Sequence, residues 1–165
     1  MPDSPDYLAR SRELGAAKDP LTAQAQSPTL IAELIDNIPA ARLTTRPSPG
    51  KWSIAEILAH LAEHEIATAW RYRQIVEHSG ISLAGFDQDL WASLGKYSAR
   101  DPHNSLALYR LLREANLFFL RALTPEQWEC FGIHAERGRI TVRDLATHMA
   151  GHDANHLIQI QKLLS

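Results

Sequence analysis

The strongest helix-start signal in this chain is the stretch Trp52-Ser53-Ile54-Ala55-Glu56-Ile57. Ser53 is a typical N-cap residue, and Glu56 three positions later completes a capping box, in which each side chain bonds to the backbone N–H of the other residue. Trp52 and Ile57 stand at the two positions of a hydrophobic staple, which sets the direction of entry into the helix. The apolar periodicity that follows predicts a long helix ending near position 78.

The start of the last helix repeats this signal in Ile140-Thr141-Val142-Arg143-Asp144-Leu145. Thr141 takes the N-cap position and Asp144 the N3 position, with an apolar residue on either side as the staple. The stretch therefore predicts a helix that continues to the end of the sequence.

Apolar spacing predicts two more helices. One begins at Pro28, where apolar residues recur at helical intervals until Pro39, and the other runs from about Asn104 to Ala122. No segment alternates apolar and polar residues over the length of a convincing strand. Four long helices predict an all-α fold, a four-helix bundle.

The chain divides into a polar leader over residues 1–27 and a bundle domain over residues 28–165. In the leader, Tyr7 to Ala17 could form a short helix, and a loosely attached segment fits equally well. Between the second and third helices lies a long, aromatic-rich loop, Ile81 to Pro102, and one interpretation of this loop is a cover over a functional site. Packing of its aromatic residues on the end of the bundle is the alternative.

Composition excludes several classes of partner. The net charge of −2 and the absence of a basic cluster argue against nucleic acid. Cys130 is the only cysteine, so no internal disulfide forms and thiolate metal ligands are not expected. No apolar run approaches the roughly 20 residues of a membrane span, and the first residues lack a signal-peptide pattern. We expect a cytoplasmic protein without membrane contact.

A ladder of histidines four residues apart is the clearest functional signal. His148, His152 and His156 form one run, and His60 and His64 form a second pair at the same spacing. Residues four apart share a helix face, with Cβ atoms roughly 5–6 Å apart, so two imidazoles can reach one metal ion. The pattern predicts a metal site.

The apolar stripe of the last helix passes through His152 and His156, whereas His148 lies at its rim. Two buried imidazoles cost free energy unless each nitrogen finds a partner, and a shared metal ion supplies one. Hydrogen bonds to buried carbonyls or carboxylates are the alternative. We expect Asp153, beside this pair, to be exposed to solvent. The isolated His134 is also expected to be solvated or to cap an element.

A zinc-like ion needs at least three protein ligands, and the second helix is the natural source of the third. A helical wheel places both His60 and His64 at the edge of that helix's apolar face, and it leans slightly towards His64.

The segment Trp52–Glu63, together with Gly138–Thr141 and His152–Leu157, resembles the DinB/YfiT-like superfamily of metalloenzymes. The segment Phe86–Trp91 is also similar to loops of that family, and the resemblance extends over about residues 28–164. The Trp-Ser and His-Leu-Ala-Glu elements of the first segment and the His-x-x-x-His element of the last are specific in combination.

This resemblance implies a four-helix bundle that binds a divalent ion, zinc or nickel, through three histidines. The matching positions are His60, His152 and His156. His64 is kept as a reserve ligand, and Glu63, where the family usually has Asp, and His148 are further candidates for a ligand or a supporting contact.

Three neutral imidazoles would leave the ion its full charge and an open position, where a water or a thiol is easily deprotonated. Such a site could therefore catalyse one of two reactions, hydrolysis of a small molecule or transfer of a thiol to a small-molecule electrophile. Some members of the family resemble thiol S-transferases that use bacillithiol or mycothiol, and one branch resembles a glutathione- or mycothiol-dependent isomerase. The nearby acid–base candidates are Glu56, Glu63, His64 and His148, and no catalytic residue is assigned.

A different class of function is a non-catalytic metal-binding or stress-response bundle whose ion mainly fixes the helices, and such a bundle could form a homodimer. A bundle without a physiological metal is the third alternative. The coordination of the ion separates an enzyme from a non-catalytic metal-binding bundle. A pocket open to solvent favours an enzyme, and a closed four-ligand shell favours a structural ion.

Overall fold

The computed structural model describes residues 5–16 and 19–165 of the chain. Four long helices pack as a bundle and four shorter ones lie around it. The helices are α1 (Pro5–Ala16), α2 (Pro20–Ile35), α3 (Ala40–Thr44), α4 (Ile54–Glu77), α5 (Gln88–Leu94), α6 (Pro102–Arg121), α7 (Pro125–Trp128) and α8 (Val142–Leu164). The bundle consists of α2, α4, α6 and α8, and α1 packs along α8. The predicted four-helix bundle is confirmed.

Both predicted capping boxes are present. The Ser53 hydroxyl accepts from the backbone N–H of Glu56 at 3.3 Å, and the Glu56 carboxylate accepts from the Ser53 backbone N–H at 2.9 Å. Thr141 and Asp144 make the same reciprocal pair at the start of α8. Glu56 is buried and also forms an ion pair with Arg46.

Helix α2 begins at Pro20, so the predicted start at Pro28 is wrong. Asp19 caps the helix by accepting from the backbone N–H of Thr22 at 2.7 Å, and Pro20 stands at a position where its missing N–H costs nothing. Pro28 lies inside the helix. The division into residues 1–27 and 28–165 stays a prediction about domains, although α2 crosses that boundary.

A small sheet is present that the sequence did not predict. Strand β1 (Ile81–Leu83) pairs in parallel with β2 (Phe131–His134), and β2 pairs antiparallel with β3 (Gly138–Thr141). The strands have only three or four residues each, too few for an alternating pattern to be recognised. The predicted long loop thus contains β1, α5 and the 3-10 turn Tyr97–Ala99.

Two apolar clusters fill the bundle core, and buried polar residues lie between them along α4 and α8. One cluster includes Ile57, Leu61 and Ile160, and the other includes Ile75 and Leu145. The polar residues of the layer between them are His60, His64, Glu65, Thr68, His152, Asp153 and His156. The centre of this bundle is therefore polar, unlike a simple apolar core.

Arg113 of α6 joins this polar layer to the rest of the bundle. Its guanidinium donates to Glu65 Oε1 at 2.8 Å, to Asp153 Oδ1 at 3.0 Å and to Gln24 Oε1 at 2.9 Å. The acceptors belong to α4, α8 and α2, so one side chain contacts all three other bundle helices. The side chains of Arg113 and Glu65 are each 2% exposed and that of Asp153 is 0% exposed.

The prediction that Asp153 faces solvent was wrong. Burial raises the pKa of its carboxyl to about 6, and Arg113 opposes that shift. A buried carboxylate is tolerated where a cation and hydrogen bonds compensate for lost solvation, and Arg113 provides both. That partner lies 40 positions away in sequence, on another helix.

No helix in the described ranges combines the length and the apolar character needed to cross a bilayer.

We expect Arg113→Met to lower the free energy of unfolding by about 3–5 kcal/mol, because it leaves two buried carboxylates without their cation. Urea denaturation followed by circular dichroism measures the change. Arg110→Met, one turn earlier on the exposed face of α6, is the control and should change stability by no more than about 0.5 kcal/mol. Equal stabilities of the two variants would contradict this account of the core.

Candidate metal centre

Three histidines from two helices meet in the polar layer. One ring nitrogen from each of His60, His152 and His156 lies within 4.8 Å of the others. The Nε2 atoms of His60 and His152 are 3.1 Å apart, and the rings of His152 and His156 have centroids 4.5 Å apart. All three are at most 4% exposed. The chain thus brings together imidazoles separated by about 90 positions.

Local sequence sets up this convergence. His60 lies two turns after the Ser53 cap, and the capping box fixes where α4 begins. On α8, His152 and His156 continue the stripe that includes Leu145 and Met149, which faces α4 in the core. The packing of α4 against α8 then brings the two faces together.

Burial keeps these imidazoles neutral. It lowers the pKa of His60 and His152 well below the usual value for histidine, and neighbouring imidazoles add to the effect. Burial also lowers the pKa of His156 to about 4, against the opposing effect of a hydrogen bond to Gln159. Neutral imidazole is the form that binds metal ions.

The hydrogen bonds of the cluster leave ring nitrogens available as ligands. His156 Nδ1 lies 2.9 Å from Gln159 Oε1, so Nδ1 carries the proton and donates it to that oxygen. The lone pair of His156 is then on Nε2, which has no hydrogen-bond partner among the described residues. His152 Nδ1 is 3.9 Å from Asp153 Oδ1, too long for a hydrogen bond.

Buried nitrogens without partners fit a divalent ion better than the alternative of hydrogen bonds to carbonyls or carboxylates. Only His156 of the three makes such a bond in the described part of the chain. The donor set of three neutral imidazoles suits zinc, nickel and similar ions.

The three reserve residues occupy different places. His64 stacks on His152, with ring centroids 4.3 Å apart, but lies outside the group of three. Glu63 forms an ion pair with Arg100 at 2.7 Å. His148 is half-buried, with its ring centroid 6.3 Å from that of His152.

A cavity of about 400 Å³ adjoins the histidines. His60, His64 and His152 form part of its wall, and His148 extends that wall along α8. Exposed residues of the α5 start and of the β2–β3 turn border its mouth. The cavity therefore connects the histidine cluster with solvent.

The segment before α5 forms part of the wall of this cavity. The Phe86 ring lies 5.6 Å from that of His64 and 4.4 Å from that of Trp91. Phe86 therefore stands between the histidines and the rest of the segment, and its apolar ring limits access of water from that side.

The residues of the cavity wall that the sequence did not point to include Arg71, His134 and Arg137. Arg71 follows His64 by seven positions on α4, so helical spacing could have found it. His134 was expected to be solvated or to cap an element; it is buried at the end of β2, where its Nδ1 atom accepts from the backbone N–H of Glu136 in the following turn at 3.3 Å. No local pattern marked Arg137, because a sheet that was not predicted carries its turn to the cavity.

Comparison with known proteins agrees with this architecture. The protein of Bacillus subtilis (strain 168) named "Putative metal-dependent hydrolase YfiT" is 23% identical over 137 residues, which are 82% of this chain and 77% of the relative. "Putative metal-dependent hydrolase OB0782" of Oceanobacillus iheyensis is 25% identical over 136 residues, 82% of this chain and 78% of the relative.

Solved structures show the same fold. YfiT from Bacillus subtilis, described as a probable metal-dependent hydrolase with an unusual four-helix bundle topology, superposes with a TM-score of 0.81 at 21% identity, covering 87% of this chain and 83% of YfiT. The mycothiol-dependent maleylpyruvate isomerase superposes with a TM-score of 0.70 at 12% identity, covering 86% of this chain and 59% of the isomerase. The three-histidine cluster and the metal-dependent relatives together support a divalent metal. The sequence pattern of the DinB superfamily matches residues 24–160, and the chain belongs to that superfamily.

Proposed function

We propose that this protein is a metal-dependent enzyme that activates water or a thiol for attack on a small molecule. The proposed ligands are His60, His152 and His156, and the proposed ion is zinc or nickel. The observation that carries the proposal is the convergence of three buried imidazoles, two of which, those of His60 and His152, line an open cavity.

An ion held by three neutral ligands supplies Lewis acidity, which lowers the pKa of a water or thiol at its open position. Two reaction classes use this property. Hydrolysis agrees with the names of the relatives, and thiol S-transfer agrees with the thiol dependence named for the isomerase of the same fold. The two share one site and differ in the nucleophile, which experiment can identify.

The surroundings favour catalysis over a purely structural ion. A structural site usually has a closed shell of four protein ligands. Here Glu63 is engaged by Arg100, and His64 lies outside the group of three. The cavity reaches His60 and His152, so a small molecule can approach the cluster.

His64 is the residue we propose to accept the proton of the nucleophile. Of the four acid–base candidates, Glu56 is used by the helix cap and Arg46, and Glu63 by Arg100. His64 lines the cavity beside His152, and its Nδ1 atom is buried without a hydrogen-bond partner among the described residues. The Phe86 ring packs next to it, with ring centroids 5.6 Å apart.

We expect His152→Ala to abolish metal binding without unfolding the bundle, because it removes one of three ligands while the core clusters remain. Elemental analysis and circular dichroism on the same sample measure both properties. His148→Ala is the matched control on the same helix and should retain the ion. Full metal retention in His152→Ala would refute the ligand assignment, and loss of helix would indicate a structural ion.

His64→Ala should retain the metal but lower the rate by about 10²- to 10⁴-fold, the usual contribution of general acid–base catalysis. Metal content and turnover are measured on the same preparation. Loss of the ion would instead identify His64 as a ligand, and an unchanged rate would remove it from the mechanism.

The metal-loaded protein should convert one chromogenic electrophile in the presence of a low-molecular-weight thiol, or hydrolyse a chromogenic ester without one. A panel of bacillithiol, mycothiol, glutathione and cysteine against that electrophile separates the two classes. Chelator should abolish the activity, and added zinc or nickel should restore it. Activity that is insensitive to chelator, or no activity with any member of the panel, would count against the proposal.

A further inference from the structure

A buried arginine forms part of the wall of the cavity beside the histidine cluster. Arg71 is 7% exposed although its guanidinium is always charged. Its Nη2 atom donates to the carbonyl oxygen of Ala84 at 2.6 Å, and the guanidinium carbon lies 5.4 Å from the centroid of the Phe86 ring. Both contacts come from the segment between β1 and α5, and they hold the charge at the cavity wall.

The charge of Arg71 acts on the same space as the histidines. Arg71 and His64 line the same cavity, and the Phe86 ring lies near both, with its centroid 5.4 Å from the Arg71 guanidinium carbon and 5.6 Å from the centroid of the His64 ring. Arg137, half-buried in the β2–β3 turn, lines the cavity as well. Two guanidinium groups from separate elements thus border one cavity.

The acidic residues of the cavity lie nearer to solvent. Asp87 is exposed, and its carboxylate accepts from the backbone N–H groups of Asp89 and Leu90 at the start of α5, at 2.9 and 3.0 Å. Glu136 is exposed in the β2–β3 turn. The more buried part of the wall therefore carries positive charge, and a divalent ion on neutral imidazoles would add to it.

We propose that Arg71, with Arg137, binds an anionic group of the substrate, a carboxylate or a phosphate, and so directs the reacting end of that substrate to the histidine cluster. The inference deepens the proposed function and rests on it for the statement that the cavity holds the substrate. Guanidinium forks match the planar carboxylate and the phosphate group, and a desolvated position strengthens such charge-assisted hydrogen bonds.

Calorimetric titration with succinate tests the proposal without any catalytic assay. Succinate should bind to the wild-type protein, both zinc-loaded and chelator-treated, whereas the neutral succinamide should not. Arg71→Gln should weaken succinate binding by at least about tenfold, the usual worth of a hydrogen bond to a charged group. Arg71→Lys keeps the positive charge but loses the paired N–H donors of the guanidinium, so its affinity for succinate should lie between those of the wild type and Arg71→Gln.

Arg73→Gln is the matched control, because Arg73 is exposed on α4 two positions away and carries the same charge. It should bind succinate as the wild type does. Arg137→Gln, in the β2–β3 turn, tests the second guanidinium and should weaken succinate binding measurably. This variant also tests the proposal if Arg71→Gln fails to fold.

The proposal is overturned if succinate does not bind, if succinamide binds equally well, or if succinate binding is unchanged in Arg71→Gln and Arg137→Gln. These outcomes are separate from failure of the proposed function, which is read from metal content and chelator-sensitive turnover. Loss of succinate binding in Arg71→Gln with the metal retained supports the inference even if no thiol or ester is converted.

Rate measurements then identify which reactant carries the anion. In the first pair, mercaptosuccinate and mercaptoethanol each react with the same neutral electrophile. In the second pair, a carboxylated electrophile and its amide each react with mercaptoethanol. Arg71→Gln should lower kcat/KM by about tenfold or more for the anionic member of one pair and leave its neutral counterpart unchanged. Equal effects on charged and neutral members of both pairs would contradict an anion-binding role.

Discussion

The buried contact of Arg113 with Glu65 and Asp153 is the interaction on which the centre of the bundle depends. Four helices could pack around an apolar core without it, but the middle of α4 and α8 is polar, and polar groups out of water need partners. One guanidinium with several donors provides them to three neighbouring helices at once. The ion network therefore fixes how α4 and α8 face each other at the level of the histidines.

That alignment has a direct consequence for the candidate metal centre. Asp153 adjoins His152 in sequence, so anchoring the carboxylate to α6 also fixes the rotation of α8 at His152. The histidines then lie in a desolvated layer in which they stay neutral. Ring nitrogens left without hydrogen-bond partners in such a layer are stabilised by a cation. The polar layer and the clustering of the three histidines are thus two results of the same packing.

Short elements outside the bundle convert this layer into a cavity. The three-stranded sheet carries His134 and Arg137 to one side, and the segment before α5 carries Phe86 to the other. Arg71 belongs to a bundle helix, but its contacts with Ala84 and Phe86 join it to that segment. The bundle provides the three clustered histidines, and the additions provide other residues of the cavity wall.

Much of this protein was predictable from local sequence. The capping boxes at Ser53 and Thr141 predicted where α4 and α8 begin, since a cap depends on residues within one turn. The four-residue spacing of histidines predicted imidazoles on shared faces for the same reason. A resemblance to known metalloenzymes pointed to His60, whereas the helical wheel leaned to His64. A helical wheel gives the direction of each side chain around one helix, and it does not show which other helix packs against that side.

Only the tertiary structure decided which distant groups meet. Asp153 was predicted to be exposed, because its partner Arg113 lies on another helix and is not visible in the local sequence. The start of α2 was misread at Pro28, because a single proline can stand within a helix that Asp19 caps further upstream. The sheet, and with it His134 and Arg137, stayed hidden because strands of three or four residues are stabilised by pairing across the chain. Local sequence determined the helices and their polar faces, whereas long-range packing determined the cavity, since its walls come from segments that share no local pattern.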